Sequence, residues 1–115
     1  MKKFALFVFN GDPMCFVHVL LNALDMKEKG HAPRIILEGA SVKLLPELVN
    51  AANPLNKLWT RVLDQDLVEG VCKACSNKLG TLKDAEKQGL TLLGDMSGHP
   101  SMVEYRSNDF ELITF

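Results

Sequence analysis

The 115-residue chain carries no excess of charge of either sign. Thirteen Lys and Arg against fourteen Asp and Glu leave a formal net charge of −1. The basic footprint of a nucleic-acid partner or an anionic membrane surface is therefore missing. No run approaches the ~20 apolar residues of a membrane helix. The opening MKKFALFVF has a charged start, but its apolar stretch covers only Phe4 to Phe9 before Asn10-Gly11-Asp12-Pro13 breaks it. That is too short for a secretory signal, and no small-residue cleavage site follows. Neither G-x-G-x-x-G nor G-x-x-x-x-G-K-[ST] occurs, so nucleotide binding has no support. Cysteine is scarce and odd in number, three in all. Without an export signal, that count predicts reduced thiols and a cytoplasmic setting.

Against these absences, 47% of the residues are hydrophobic, enough for a real core in one domain spanning 1–115. Lys3 to Phe9 reads as a strand apolar on both faces, as a central parallel strand would be. Asp12 is a suitable N-cap and Pro13 a suitable first residue for a helix running to about Lys29, with Gly30 past its end. Polar Cys15, His18, Asn22, Asp25 and Lys29 form one narrow stripe on it, and almost everything else is apolar. That arc is wider than one sheet face covers. Either the chain buries it deeply or copies of the chain do.

Pro33 to Leu37 is a second strand. Ser41 is in place to cap a helix containing Val42, Leu45, Leu48, Val49 and Ala52, although Pro46 would lose a bond in its second turn, so either the helix starts near Pro46 or its first turn is distorted. Asn53-Pro54 opens another helix, whose Leu55, Leu58, Trp59, Val62 and Leu63 match i, i+3, i+4, i+7, i+8. A third strand follows from Leu67, then a short helix from Thr81 with a capping-box-like Thr81-x-x-Asp84. Leu90–Leu93 is a fourth strand, Pro100–Ser107 a last helix and Phe110–Phe115 a fifth strand. Phe7, Val8, Leu20, Leu24, Ile35, Ile36, Leu58, Val62, Val71 and Ile113 are the expected core. Alternation of strands and helices predicts an α/β fold, a three-layer α/β/α sandwich on a parallel five-stranded sheet.

In such folds ligands bind at the carboxyl ends of the strands. Four loops are expected there: Asn10-Gly11-Asp12, Glu38-Gly39-Ala40-Ser41, Cys72 to Ser76, and Asp95 to His99. The candidate site is thus Cys72 and Cys75, with Asn10, Asp12, Glu38, Ser41, Ser76, Lys78, Ser97 and His99 around them. Cys72-Lys73-Ala74-Cys75 follows the third strand, and Ser76 is read as the cap of a helix ending at Gly80. A thiol at a helix start meets unpaired amides that favour thiolate, the reactive form. The amides of Ser76, Asn77 and Lys78 are expected to face the Cys75 sulfur. Cys72, shielded by strand neighbours, should have the higher pKa of the pair.

The blander readings stand beside these. Asp12 can be an N-cap and nothing more, Glu38 can be solvated, and His99 can cap the helix it precedes. Cys15 and His18, three residues apart, read as a part-buried and a surface residue rather than half a metal site. A closed zinc site needs four ligands, and only Cys72, Cys75 and His99 offer themselves. No cofactor or metal is assigned on that count.

Taken as a whole, the chain resembles the DsrE/DsrF/DsrH-like family of small α/β proteins. The most telling stretch is Cys72-Lys73-Ala74-Cys75-Ser76-Asn77-Lys78-Leu79-Gly80, a cysteine after the third strand followed by a short helical turn and a glycine. The resemblance implies a single three-layer domain, assembly into a homo-oligomer (trimer or hexamer), and a cysteine that carries sulfur as a persulfide. Some members place that cysteine eight residues before the glycine, which selects Cys72; others place it nearer, which selects Cys75. Lys78 alone stands where the family often has several basic residues. The function implied is a cytoplasmic sulfur carrier working with sulfur-donor and acceptor proteins, with no nucleic acid and no membrane. The alternative is a non-catalytic oligomeric binding or regulatory module whose CxxC senses redox state or binds a metal.

Overall fold

The computed structural model describes residues 1–115. Its five strands are β1 (Lys3–Val8), β2 (Ala32–Leu37), β3 (Val68–Cys72), β4 (Leu92–Leu93) and β5 (Phe110–Thr114), all parallel, in the order β4-β3-β2-β1-β5. β1 is flanked by β2 on one side and β5 on the other, with Phe7 level with Ile36 and Thr114. That interior position explains why its residues are apolar on both faces.

The crossovers decide the layers. From β1 to β4 each step moves one strand in the same direction. Right-handed connections therefore place α1 (Pro13–Glu28), α2 (Leu45–Leu48), α3 (Asn56–Asp64), α4 (Lys73–Lys78) and α5 (Leu82–Lys87) together on one face. The return from β4 to β5 crosses the whole sheet the other way and sets α6 (Met102–Ser107) on the opposite face. The result is an α/β/α sandwich of unequal halves. Leu6, Val8, Ile35, Leu37 and Val71 point into a 20-residue core with Phe16, Leu20, Leu48, Trp59 and Val62. Ala5, Phe7 and Ile36 point the other way, where Tyr105, Phe110, Leu112 and Leu93 cover them. Each large side chain fully buried on the thick face contributes about 1.5–3 kcal/mol of apolar transfer.

α1 begins as its sequence demands. The Asp12 carboxylate accepts the Met14 N–H at 2.9 Å, Pro13 takes the first position, and Gly30 (φ +87°) turns the chain away. The chain itself buries Phe16, Val19, Leu20, Ala23 and Leu24, most of the wide apolar arc; Met14 and Leu21 remain exposed.

Several local expectations are corrected. Ser41 caps no helix: it is buried in a 3-10 turn over Gly39–Leu44, and its hydroxyl donates toward the Val8 and Glu38 carbonyls at 2.7 and 2.8 Å. The α-helix starts at Leu45, the later of the two starts expected, so Pro46 falls in the first turn and loses no bond, but it ends at Leu48, short of Val49 and Ala52. Asn53 ends a turn by accepting the Leu55 N–H, so α3 starts at Asn56. Thr81 forms no capping box, and its buried hydroxyl has no partner. β4 shrinks to two residues and α6 starts at Met102. Leu58 and Ile113 are only partly buried. Leu58 sits at the margin of the α3 stripe, and Ile113 lies on an edge strand with a neighbour on one side only. The other eight expected core residues are buried.

Candidate functional site

The chain reaches the end of β3 extended and turns at once into α4. Cys72 is the turning point. Its backbone is extended (φ −61°, ψ 120°), and its sulfur accepts the Cys75 N–H at 3.4 Å, so the cysteine itself caps the helix. Ser76, expected as the cap, lies inside α4, buried with no partner for its hydroxyl. Cys75 falls in the first turn, half-buried. The amide that reaches its sulfur comes not from Ser76, Asn77 or Lys78 but from Gly39, across the loop after β2, at 3.3 Å. Gly39 holds φ +55°, a conformation that costs glycine nothing.

The third partner arrives from the loop between β4 and α6. Met96 and His99 exchange backbone hydrogen bonds at 2.9 and 3.0 Å, and Ser97 and Gly98 between them both have positive φ. This is a tight two-residue turn of the primed type, for which glycine is favoured. Its Gly98 carbonyl accepts the Ala74 N–H at 2.9 Å, which bolts the loop onto α4. A Cβ on Gly98 would stand 3.1 Å from the Ala74 Cβ, so a larger residue would push the two apart. The turn delivers the His99 ring to both thiols. Nδ1 lies 3.1 Å from Cys72 Sγ and 3.8 Å from Cys75 Sγ, and all three atoms fall within 4.8 Å of one another.

Glu38 completes the group. Its carboxylate is almost wholly buried, with Oε1 4.0 Å from His99 Nδ1. Burial raises its pKa and the His99 charge pulls it part of the way back. Burial also pushes the Cys72 thiol up to about 12, with the hydrogen bond to the Cys75 side chain adding to the rise and the Cys75 amide opposing it. Cys72, at 0% exposure, is thus a protonated thiol at neutral pH, as its strand position suggested.

Of the ten expected site residues, Cys72, Cys75, His99 and Glu38 come together. Asn10 and Asp12 are exposed and serve their own turn, Asn10 Oδ1 accepting the Asp12 N–H at 2.8 Å. Ser41 and Ser76 are buried, and Lys78 and Ser97 are exposed. Cys15 and His18 lie outside the thiol cluster. Sequence reasoning missed the Gly39 amide, the Gly98 carbonyl and an apolar cleft of about 370 Å³ beside Glu38, lined by Phe9, Met96, Pro100, Met102 and Val103. The glycines in two of the four expected loops were the available signal for the first two.

No family model matches the chain. Uncharacterized protein MJ0733 of Methanocaldococcus jannaschii is 36% identical over 97 residues, 84% of this chain and 77% of its own length. The chain belongs to the MJ0733 family. Two uncharacterized proteins of Archaeoglobus fulgidus match shorter stretches. One is 46% identical over 37 residues, 32% of this chain and all of its own length; the other is 42% identical over 38 residues, 33% and 62%. Among solved structures, the conserved protein of unknown function BT1422 from Bacteroides thetaiotaomicron is similar in fold, with TM-score 0.68 over 99% of this chain and 95% of its own at 21% identity. No helix is long and apolar enough to cross a membrane. In this member of the MJ0733 family the two thiols, the His99 ring and the Glu38 carboxylate share one loop edge.

Proposed function

We propose that the protein is a sulfur carrier of the DsrE-like kind, with Cys75 as the attacking thiol and Cys72 as its resolving partner. The observation that supports it is the His99 ring set within 3.1 and 3.8 Å of two sulfurs, one half-open and one sealed. Cys75 as thiolate attacks the outer sulfur of a donor persulfide, R–S–SH. The S–S bond breaks, R–S⁻ leaves, and Cys75–S–SH forms with no net oxidation. His99 Nδ1 takes the thiol proton before attack. The Gly39 amide, 3.3 Å from the same sulfur, steadies the negative charge.

Two exits follow. An acceptor thiolate can take the outer sulfur and restore Cys75. Alternatively Cys72, giving up its proton, attacks the inner sulfur, so that a Cys72–Cys75 disulfide forms and hydrosulfide leaves. In that branch the sulfane sulfur is reduced, the thiol pair is oxidised, and an external dithiol must reset it. Assembly of copies through exposed Met14 and Leu21 belongs to the same proposal; light scattering giving a mass near 12.8 kDa would remove it.

Mass spectrometry of the reduced protein after incubation with an organic persulfide is the test. A gain of one sulfur on Cys75, lost in Cys75→Ser, is expected. In the same protein Cys72 should resist iodoacetamide until strongly alkaline pH. No gain on either thiol rejects the proposal, and a gain on Cys72 alone reverses the assignment.

A further inference from the structure

We propose that Cys72 Sγ, Cys75 Sγ and His99 Nδ1 form a three-ligand site for zinc, with the Glu38 carboxylate beside its fourth position. This goes beyond the sulfur-relay reading and does not depend on it.

Distance is the first reason. Zinc bonds sulfur at about 2.3 Å and imidazole nitrogen at about 2.0–2.1 Å, so a tetrahedral ion holds S and N about 3.5 Å apart. The two S···Nδ1 separations, 3.1 and 3.8 Å, lie on either side of that figure. Bringing them level takes a shift of the ring, and the two sulfurs, within 4.8 Å of each other, must settle about 3.8 Å apart on the ion. One nitrogen aimed at two sulfurs has one lone pair to give, and a cation between them uses it fully.

The surroundings are the second reason. Each sulfur already receives a backbone N–H, Cys72 from Cys75 at 3.4 Å and Cys75 from Gly39 at 3.3 Å. Such donors disperse the charge of a metal-bound thiolate and orient it. The backbone that carries the ring is held by the Ser97-Gly98 turn and its bond to α4, so the three donors project from a fixed frame.

Glu38 is the third and independent reason. A buried carboxylate normally has a partner. This one receives no hydrogen bond from the chain, its oxygens open onto the cleft it lines, and its sole ion-pair contact is His99 Nδ1 at 4.0 Å. A dication among the thiols supplies the missing counter-charge. Glu38 then either binds it or holds a water on it. A mixed sulfur and nitrogen donor set selects zinc over the hard cations magnesium and calcium.

Zn²⁺ displaces one proton from each thiol, both protons leave to solvent, and nothing is oxidised or reduced. While zinc is bound, both sulfurs are ligands and neither can attack. Occupancy therefore switches off any thiol chemistry of this pair. With three protein ligands and an open position, the ion should be removable by chelators without unfolding the chain.

The experiment uses the reduced full chain, stripped with chelator and titrated with Co²⁺ under argon. We expect sulfur-to-cobalt charge-transfer absorption and tetrahedral d–d bands that saturate at one equivalent and vanish when zinc is added. Cys15→Ser should leave the spectrum unchanged. Cys72→Ser and Cys75→Ser should each weaken the charge-transfer band, and His99→Ala should shift the d–d bands. A second measurement needs no variant. Stoichiometric zinc should lower iodoacetamide labelling of Cys75 at least about tenfold while leaving Cys15 untouched. Absence of a saturating spectrum, a spectrum that survives loss of both thiols, or equal labelling of Cys75 with and without zinc overturns the proposal. Persulfide uptake by the metal-free protein bears only on the relay, so the two readings fail separately.

Discussion

The two faces of the sheet are built to different standards. One carries five helices and a 20-residue core in which Trp59, Phe16 and Leu20 are sealed. The other carries one six-residue helix over Ala5, Phe7 and Ile36, and its largest contributors, Tyr105 and Phe110, are only half-buried. The difference follows from strand order alone. Three crossovers step the same way and stack their helices together; the single return crossover covers the rest. What the contrast teaches is where the chemistry lies. Glu38 and both cysteines come from loops that lead into the thick face, and His99 comes from the return crossover that builds the thin one. The candidate site is the seam between a rigid half and a light one.

The comparison can be tested from its heavy end downward. Trp59→Ala removes the largest sealed side chain of the thick face and a hydrogen bond from Nε1 to Gln88 Oε1. It should cost about 3–5 kcal/mol in chemical denaturation. A loss under 1 kcal/mol, in the range of an ordinary surface change, would mean the thick face is not the source of stability.

On the thin face, Tyr105→Phe keeps the ring edge-on to Phe7 and Phe110 and deletes only the hydroxyl that donates to Glu69 Oε2 at 2.9 Å. A loss of about 0.5–1.5 kcal/mol is expected. A cost as large as that of Trp59→Ala would erase the distinction between the faces.

At the seam the sign should reverse. Burial raises the Glu38 pKa above its ordinary 4.5, so the fold favours the neutral acid. Its contribution is fully present below 4.5 and is lost as pH rises through the folded value. Glu38→Gln removes that loss. Without metal, the variant should be slightly more stable than the parent at pH 7 and equal to it at pH 4. A variant less stable at both values would show a hydrogen-bonding role that the charge argument omits.

How far the sequence carried depended on range. α1 was legible almost to the residue because Asp12, Pro13 and Gly30 act within a turn of where they stand. The strands were legible because unbroken apolar runs have few other uses, and the sheet architecture followed from alternation. Caps misled wherever a distant group competed. Ser41 is drawn away by the Val8 carbonyl, 33 residues earlier, and Ser76 yields its place to a sulfur that no capping table expects. Pocket membership was legible by loop but not by side chain. Sharing the carboxyl edge brought Glu38, Cys72, Cys75 and His99 together, while Asn10 and Asp12 at the same edge are taken up by their own backbone.

The strand order has a consequence in time as well as in space. β1 is the first strand in the chain and β5 the last, yet they are neighbours. A growing chain can pair β1, β2 and β3 and set both cysteines at the head of α4 while the far side of β1 is still open. His99 is fixed in place only when the loop after β4 closes its Met96–His99 turn and Gly98 bonds to α4. Until then the thiols have no imidazole beside them and no complete ligand set to offer. A copy cut before residue 94 keeps both thiols but lacks the imidazole, so the three-member cluster is assembled only once the loop between β4 and α6 is in place.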